Sequence, residues 1–221
     1  MTRVDRRIVL YGVGSPLVID AEESCARAHV EVVAGVRNME GSVYVTSAVH
    51  VVQPVELTDA ERACGVLCVL FTPGHRRGAF VDAQRVGFTR GATLIDPTSP
   101  VARSATVGQG VFINAACVVA GGCELGDWVL VNRSASIGHH ARIGTYASIG
   151  PGVVLAGNVS IGRGAVIGAG AVVLPEVTIG DNAVVAAGSV VRDAVPPHSL
   201  VAGNPCRVTK IGIEGYKGFS I

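Results

Sequence analysis

A three-sided parallel β-helix, preceded by a small parallel α/β unit, is the architecture this sequence predicts. Three observations carry it. An aliphatic residue returns every six positions through most of the C-terminal half, glycine recurs at a fixed place in that period, and the N-terminal part instead alternates short apolar runs with helical stretches.

The N-terminal elements follow in order. Ile8 to Tyr11 reads as a first strand, Gly12-Val13-Gly14-Ser15 as its turn and Val18 to His29 as a helix. Val30 to Val36 makes a second strand, Val49 to Val52 a short one, Thr58 to Ala63 a short helix, Gly65 to Phe71 a further strand and Arg76 to Val86 a last helix. Strands alternating with helices favour a small Rossmann-like parallel sheet, whose ligands sit at the carboxyl ends of the strands. The Gly12-x-Gly14 turn is a candidate phosphate-binding turn; a tight turn alone explains it equally well.

Stepping by six from Ile95 gives Ile95, Val101, Val107, Ile113, Val119, Leu125, Val131, Ile137, Ile143, Ile149, Leu155, Ile161, Ile167, Val173, Ile179, Val185 and Val191, all Ile, Leu or Val. These three residue types make up 63 of the 221 residues, so chance would fill about five of the seventeen places. Four positions after each comes a small or β-branched residue, such as Val111, Cys117, Ala135, Ala147 or Ala165. Each short strand thus points two residues inward, and a turn every six residues folds three strands into one triangular coil of 18. Such coils stack roughly 4.8 Å apart through backbone pairing. The next residue is often glycine, as at Gly108, Gly126, Gly138, Gly144, Gly150, Gly162, Gly168 and Gly180, and is expected to take a positive φ at the corner. No insertion breaks the register, so the coil faces should be flat enough to pack side by side. The expected division is 1–94 for the α/β unit, 95–210 for the β-helix and 211–221 for a tail.

Composition narrows the function. A net charge of +1 with 16% charged residues offers no basic field for nucleic acid. The apolar stretch from Ile8 to Ile19 is interrupted by Gly12, Gly14 and Pro16 and followed by Asp20, Glu22 and Glu23, which suits a strand and turn better than a signal peptide. No run approaches the ~18 apolar residues of a membrane span. The six cysteines form no C-x-x-C pair and read as reduced, buried thiols in a cytoplasmic protein.

At 18 residues per coil, His139 is in register with Gly121 and Gly157, and His140 with Gly122 and Asn158, while Asn114, Asn132 and Gly150 form a polar column. A histidine with glycine above and below leaves room for a ligand. A solvated corner is the alternative.

Four stretches carry a family likeness: Asn132-Arg-Ser-Ala-Ser-Ile-Gly-His139-His140, Ala156-Gly-Asn158-Val-Ser-Ile-Gly, Gly168-Ala-Gly-Ala-Val-Val-Leu-Pro175 and Ala202-Gly203-Asn204-Pro205. Through them the chain resembles the NeuD/PglD-like sugar acetyltransferases over nearly its whole length, most densely from Leu94 to Val208. The resemblance implies left-handed coils, where generic crossover rules favour the opposite hand. It also implies a homotrimer, acetyl-CoA as co-substrate, no metal, and a nucleotide-linked amino sugar as acceptor.

It further implies that His139 is the general base, taking a proton from the acceptor as it attacks the thioester; an imidazole titrating near ~6.5 suits that task. The family usually follows this histidine with Asp or Glu, which orients the ring; here His140 stands in that place and supplies no negative charge. Coenzyme A contacts carry over to Ser148, Ala169 and Ala187. The Gly203-Asn204-Pro205-Cys206-Arg207 segment matches a closing signature in which Cys206 replaces Ala; it offers Arg207, with Lys210, to the coenzyme's nucleotide phosphates, and a solvated surface role explains both equally well. In the α/β unit, Gly14, Ser15 and Pro16 replace the usual glycine-histidine turn and Arg37 and Asn38 an acidic pair; with Thr72 and Asn132 they are the implied acceptor contacts. Arg76 and Arg77 are candidate pyrophosphate partners; an exposed helix start explains them as well.

Three other readings compete. An O-acetyltransferase acting on sialic acid or another sugar would use the same residues. A zinc enzyme on this fold needs three separated histidines, and only His139 and His140 lie in the hexads. A non-catalytic scaffold would need the repeat alone.

Overall fold

The structure is a computed structural model that describes residues 5–221. Its N-terminal part runs β1 (Arg7–Tyr11), α1 (Val18–Arg27), β2 (Glu31–Val36), β3 (Val51–Val52), α2 (Asp59–Arg62), β4 (Gly65–Cys68) and α3 (Pro73–Arg85). The strands form one parallel sheet in the order β3-β2-β1-β4. Because the chain leaves β1 toward β2 on one side and returns to β4 on the other, the carboxyl end of β1 is the sheet's switch point. Most boundaries fall within two residues of the sequence expectation, and two differ by three. β4 ends at Cys68, and α3 begins at Pro73, whose fixed φ suits the first helical position. Helix α2 is held by a capping box: Glu61 N donates to Thr58 Oγ1 at 3.3 Å, and Glu61 Oε2 accepts from Thr58 N at 2.7 Å.

From Leu94–Ile95 onward the chain is a left-handed parallel β-helix of two-residue strands. Each strand pairs with the one 18 residues later: Leu130 with Ser148, Ser136 with Val154 and Arg142 with Ser160 open successive pairings on the three faces. The hexad aliphatics and their small partners fill the interior as one apolar column. A hairpin, Ser199–Gly203 with Cys206–Ile211, closes the stack. Among the described residues no helix is long and apolar enough to cross a membrane.

The corner glycines have a different role from the one expected. None of the eight that follow an aliphatic residue has a positive φ; the left-handed residues come two places later, at Gly110, Trp128, His140, Tyr146, Gly152, Gly164, Gly170 and Asn182. What the eight provide is the absence of a Cβ. One added at Gly168 would lie 2.5 Å from Ala187 N in the next coil, and one at Gly180 would lie 2.3 Å from Pro197 N.

The α/β unit docks on the first coil face, where Phe112 and Leu130 are buried together with Ile8, Leu10 and Leu67. Each such side chain contributes roughly 1.5–3 kcal/mol by burial. Trp128 wedges the corner beside that face, its ring 4.0 Å from Phe80 and stacked 6.0 Å from Tyr146. Arg76 bolts the two parts together. It is only 1% exposed, and its guanidinium donates to the carbonyls of Trp128 at 2.8 Å, Tyr146 at 2.6 Å and Phe71 at 3.3 Å, as well as to Leu70 O. Burial pulls the group down to about 9, which leaves it charged at neutral pH. Arg76 is therefore a structural clamp and not a pyrophosphate partner.

Candidate functional site

His139 and His140 occupy the corner after the second-face strand Ser136–Ile137. Both side chains are exposed, and their Nδ1 atoms are 3.2 Å apart with the rings nearly perpendicular. His140 holds the left-handed corner, with φ 58°, so the two rings leave the backbone in opposite directions along the stack. The His139 ring lies over Gly157, where a Cβ would come within 2.5 Å of Cε1; the His140 ring lies over Gly122, where a Cβ would come within 2.7 Å of Cδ2. The space at Gly157 is thus filled by the imidazole itself rather than left for a ligand.

A cavity of about 750 Å³ opens at the carboxyl ends of β1, β2 and β4, where switch-point physics places ligands in a parallel sheet. Gly14, Ser15 and Pro16 line it from the turn after β1, Asn38 from the end of β2, Thr72 from the start of α3 and Asn132 from the coil stack. Arg37 does not reach it; its backbone amide instead continues the sheet to Val52 O at 3.0 Å. Asn132 is 7% exposed, and its Oδ1 accepts from Asn114 Nδ2 at 3.0 Å and from Arg133 N at 2.8 Å. Asp20 ties off that column by accepting from Asn114 Nδ2 at 2.9 Å and Arg133 Nη1 at 2.8 Å.

A second cavity, of about 360 Å³, lies along the later coils and shares Phe71 and Asn132 with the first. Ala169 and Ala187 line it. Ser148 does not: it is fully buried, its hydroxyl donating to Phe71 O at 2.6 Å and accepting from Arg76 Nη2 at 3.0 Å. A serine in that place serves the clamp. Arg207 is exposed on the hairpin and turns Nη1 to its own neighbour, Cys206 O, at 2.8 Å, away from both cavities.

Neither histidine lines either cavity. Asn132 follows a first-face strand and His139 a second-face strand, so they occupy different corners of one coil. Several lining residues went unread in the sequence: Met39, Glu40 and Phe71 adjoin the strand ends, and Lys217 and Phe219 come from the C-terminal tail. The position after a parallel strand was a usable signal for the first three. The tail has no periodicity to betray its path. Among the described residues no group of three or more His, Cys, Asp or Glu side chains is placed to hold a metal ion.

Residues 158–193 match the family model described as bacterial transferase hexapeptide (six repeats). No curated protein matches the chain by sequence. Among solved structures, the acetyltransferase domain of PglB from Neisseria gonorrhoeae FA1090, in complex with acetyl coenzyme A, superposes with a TM-score of 0.81 at 28% identity, over 92% of this chain and 99% of that one. PerB from Caulobacter crescentus, in complex with CoA and GDP-perosamine, gives 0.81 at 28% identity, over 94% and 99%. WeeI from Acinetobacter baumannii AYE shares the fold at 21% identity, with a TM-score of 0.75 over 91% and 98%.

Proposed function

We propose, from the chain's membership of the NeuD/PglD-like hexapeptide-repeat sugar acetyltransferases, that it moves the acetyl group of acetyl-CoA onto the amine of a nucleotide-linked amino sugar of the 4-amino-4,6-dideoxy type. The observation that carries the reading is the 3.2 Å contact between the two histidine Nδ1 atoms at an exposed corner. For His139 to accept a proton at Nε2, its Nδ1 must carry hydrogen, and the His140 Nδ1 lone pair can receive that N–H when His140 is protonated at Nε2. His140 then fixes the tautomer that a carboxylate would otherwise fix.

The acceptor nitrogen attacks the thioester carbonyl carbon and its proton passes to His139 Nε2. The tetrahedral intermediate collapses, the C–S bond breaks and the departing sulfur takes the proton. In this reading residues 1–94 hold the nucleotide sugar, 95–210 carry the transfer and 211–221 complete the first cavity. The cavity and the histidines face different corners of one coil, so a complete site needs two subunits side by side. Val118 and Val154, 45% and 43% exposed on the second face next to the histidine corner, supply apolar surface for such packing, consistent with a homotrimer.

The test is a panel of GDP-, UDP- and dTDP-linked amino sugars with acetyl-CoA, following free thiol and the mass of the product. Thiol release with a product heavier by one N-linked acetyl group is the expected result. No turnover with any amino sugar, or acetyl found on a hydroxyl, would overturn the reading.

A further inference from the structure

We infer that the C-terminal segment Gly215–Ile221 is a strap across the acceptor cavity and that its Lys217 is the cation that holds a diphosphate there. The inference rests on the proposed acceptor class.

The strap is anchored at both ends. The Ile221 amide donates to Asn182 Oδ1 at 2.9 Å on the coil stack. Toward the α/β unit, Phe219 packs so closely on α3 that a Cβ at Gly74 would lie 2.3 Å from its own Cβ, and its ring is 4.5 Å from that of His75. Tyr216 meets Phe71 edge-on with centroids 6.0 Å apart. The chain turns into the strap at Gly215, with φ 106°, and between Tyr216 and Phe219 Lys217 takes φ 58°, a conformation that a lysine adopts at some cost.

Among the described residues, Lys217 is the one lysine or arginine lining the 750 Å³ cavity. Its ammonium lies 5.8 Å from the Tyr216 ring centroid and makes no salt bridge among the described residues. The first turn of the 13-residue helix α3 lines the same cavity. Pro73 has no N–H to offer, and the Gly74 and His75 amides take no backbone acceptor. Thr72, at the N-cap, is only 6% exposed, yet its hydroxyl makes no hydrogen bond among the described residues and caps nothing. No buried side-chain oxygen or nitrogen among the described residues lacks a partner, so this hydroxyl is open to the cavity and free to bond a ligand there. Hydroxyl, free helix amides and an unpaired ammonium are the donor set that phosphate oxygens accept from. Of the acidic lining residues, Asp82 is paired with Arg85 at 3.1 Å, which leaves Glu40 as the carboxylate a diphosphate must avoid. With Arg76 committed to the clamp, the positive charge comes from the far end of the chain.

The experiment is calorimetric titration of the full-length chain with GDP, UDP and dTDP, continued with whichever binds most tightly and with its parent nucleoside. Lys217→Gln should weaken the diphosphate about tenfold and leave the nucleoside unchanged; Lys217→Arg should restore most of the affinity. Thr72→Val, similar in shape, should weaken the diphosphate severalfold. In turnover, Lys217→Gln should raise KM for the nucleotide sugar and not for acetyl-CoA. Unaltered diphosphate binding by Lys217→Gln would overturn the strap's role alone. If the unaltered chain bound no nucleoside diphosphate, the acceptor class would fall together with it.

Discussion

Nδ1 of His139 lies 3.2 Å from Nδ1 of His140, within hydrogen-bond distance. In the proposed reaction the next residue along the chain sets the imidazole's orientation, with no contribution from a distant element. Replacing His139 with alanine should lower kcat/KM by about 10²–10⁴-fold, with the thermal melt and oligomeric state unaltered because the ring is exposed and touches only its neighbour His140 and the backbone at Gly157. Turnover at the original rate would remove His139 from the reaction.

His140→Glu should keep or increase activity near neutral pH, since a carboxylate accepts the His139 N–H more strongly and favours the imidazolium. His140 already holds the left-handed φ of 58°, which histidine tolerates somewhat better than glutamate, so the melt should fall slightly. A collapse of kcat with an intact fold would give His140 a chemical task of its own.

Two glycines two residues apart separate steric from conformational cost. A Cβ at Gly168 meets Ala187 N at 2.5 Å, while one at Gly170 meets nothing within 4 Å but must accept φ 64°. Gly170→Ala should cost about 1 kcal/mol and Gly168→Ala more than that, as the next coil is forced away. Urea unfolding of the two variants measures the difference; equal losses would mean that coil spacing is softer than argued.

Arg76→Met should destabilise by about 3–5 kcal/mol, since several buried carbonyls lose their donor and the α/β unit loses its bolt. Circular dichroism melts check it. A melt unchanged from that of the native chain would contradict the clamp.

Acid should weaken a different joint. Asp96 is fully buried; burial alone would push its carboxyl up, but hydrogen bonds from Arg27, Thr98 and Ser24 outweigh that and hold it at about 2. Its folded value lies below the ordinary 3.8, so its stabilisation is complete above about pH 4 and is lost as pH falls toward 2. Because Arg27 is partly exposed to solvent, the effect should be about 1–2 kcal/mol. Urea unfolding at pH 7 and pH 2.5 should show a drop that Asp96→Asn largely abolishes.

The β-helix was legible because every strand repeats one inward pattern, and a pattern confined to six residues survives without knowledge of its neighbours. The order of the α/β elements was readable for a similar local reason. The corner glycines were recognised as special, but a missing Cβ and a positive φ both select glycine, and only the contact with the following coil separates them. Arg76 is a pyrophosphate candidate in the sequence because the coil-stack partners that bury it lie 52 to 72 residues away. The Ser148 hydroxyl answers that same arginine, and the sequence gives no local sign of it. The histidine corner was found by register. Lys217 was not, because nothing local in the tail announces that it returns to the sheet.

The 18-residue pairing makes a whole coil the smallest piece that can be added or removed cleanly. Excising 18 residues beyond the histidine corner would shorten the stack by one rung and leave each remaining side chain on its own side. Excising six or twelve would rotate everything downstream by a third of a revolution, swinging the closing hairpin and the strap away from the sheet they serve. Length variation in such a protein is therefore quantised, and its tail can find its target only in chains that keep the count.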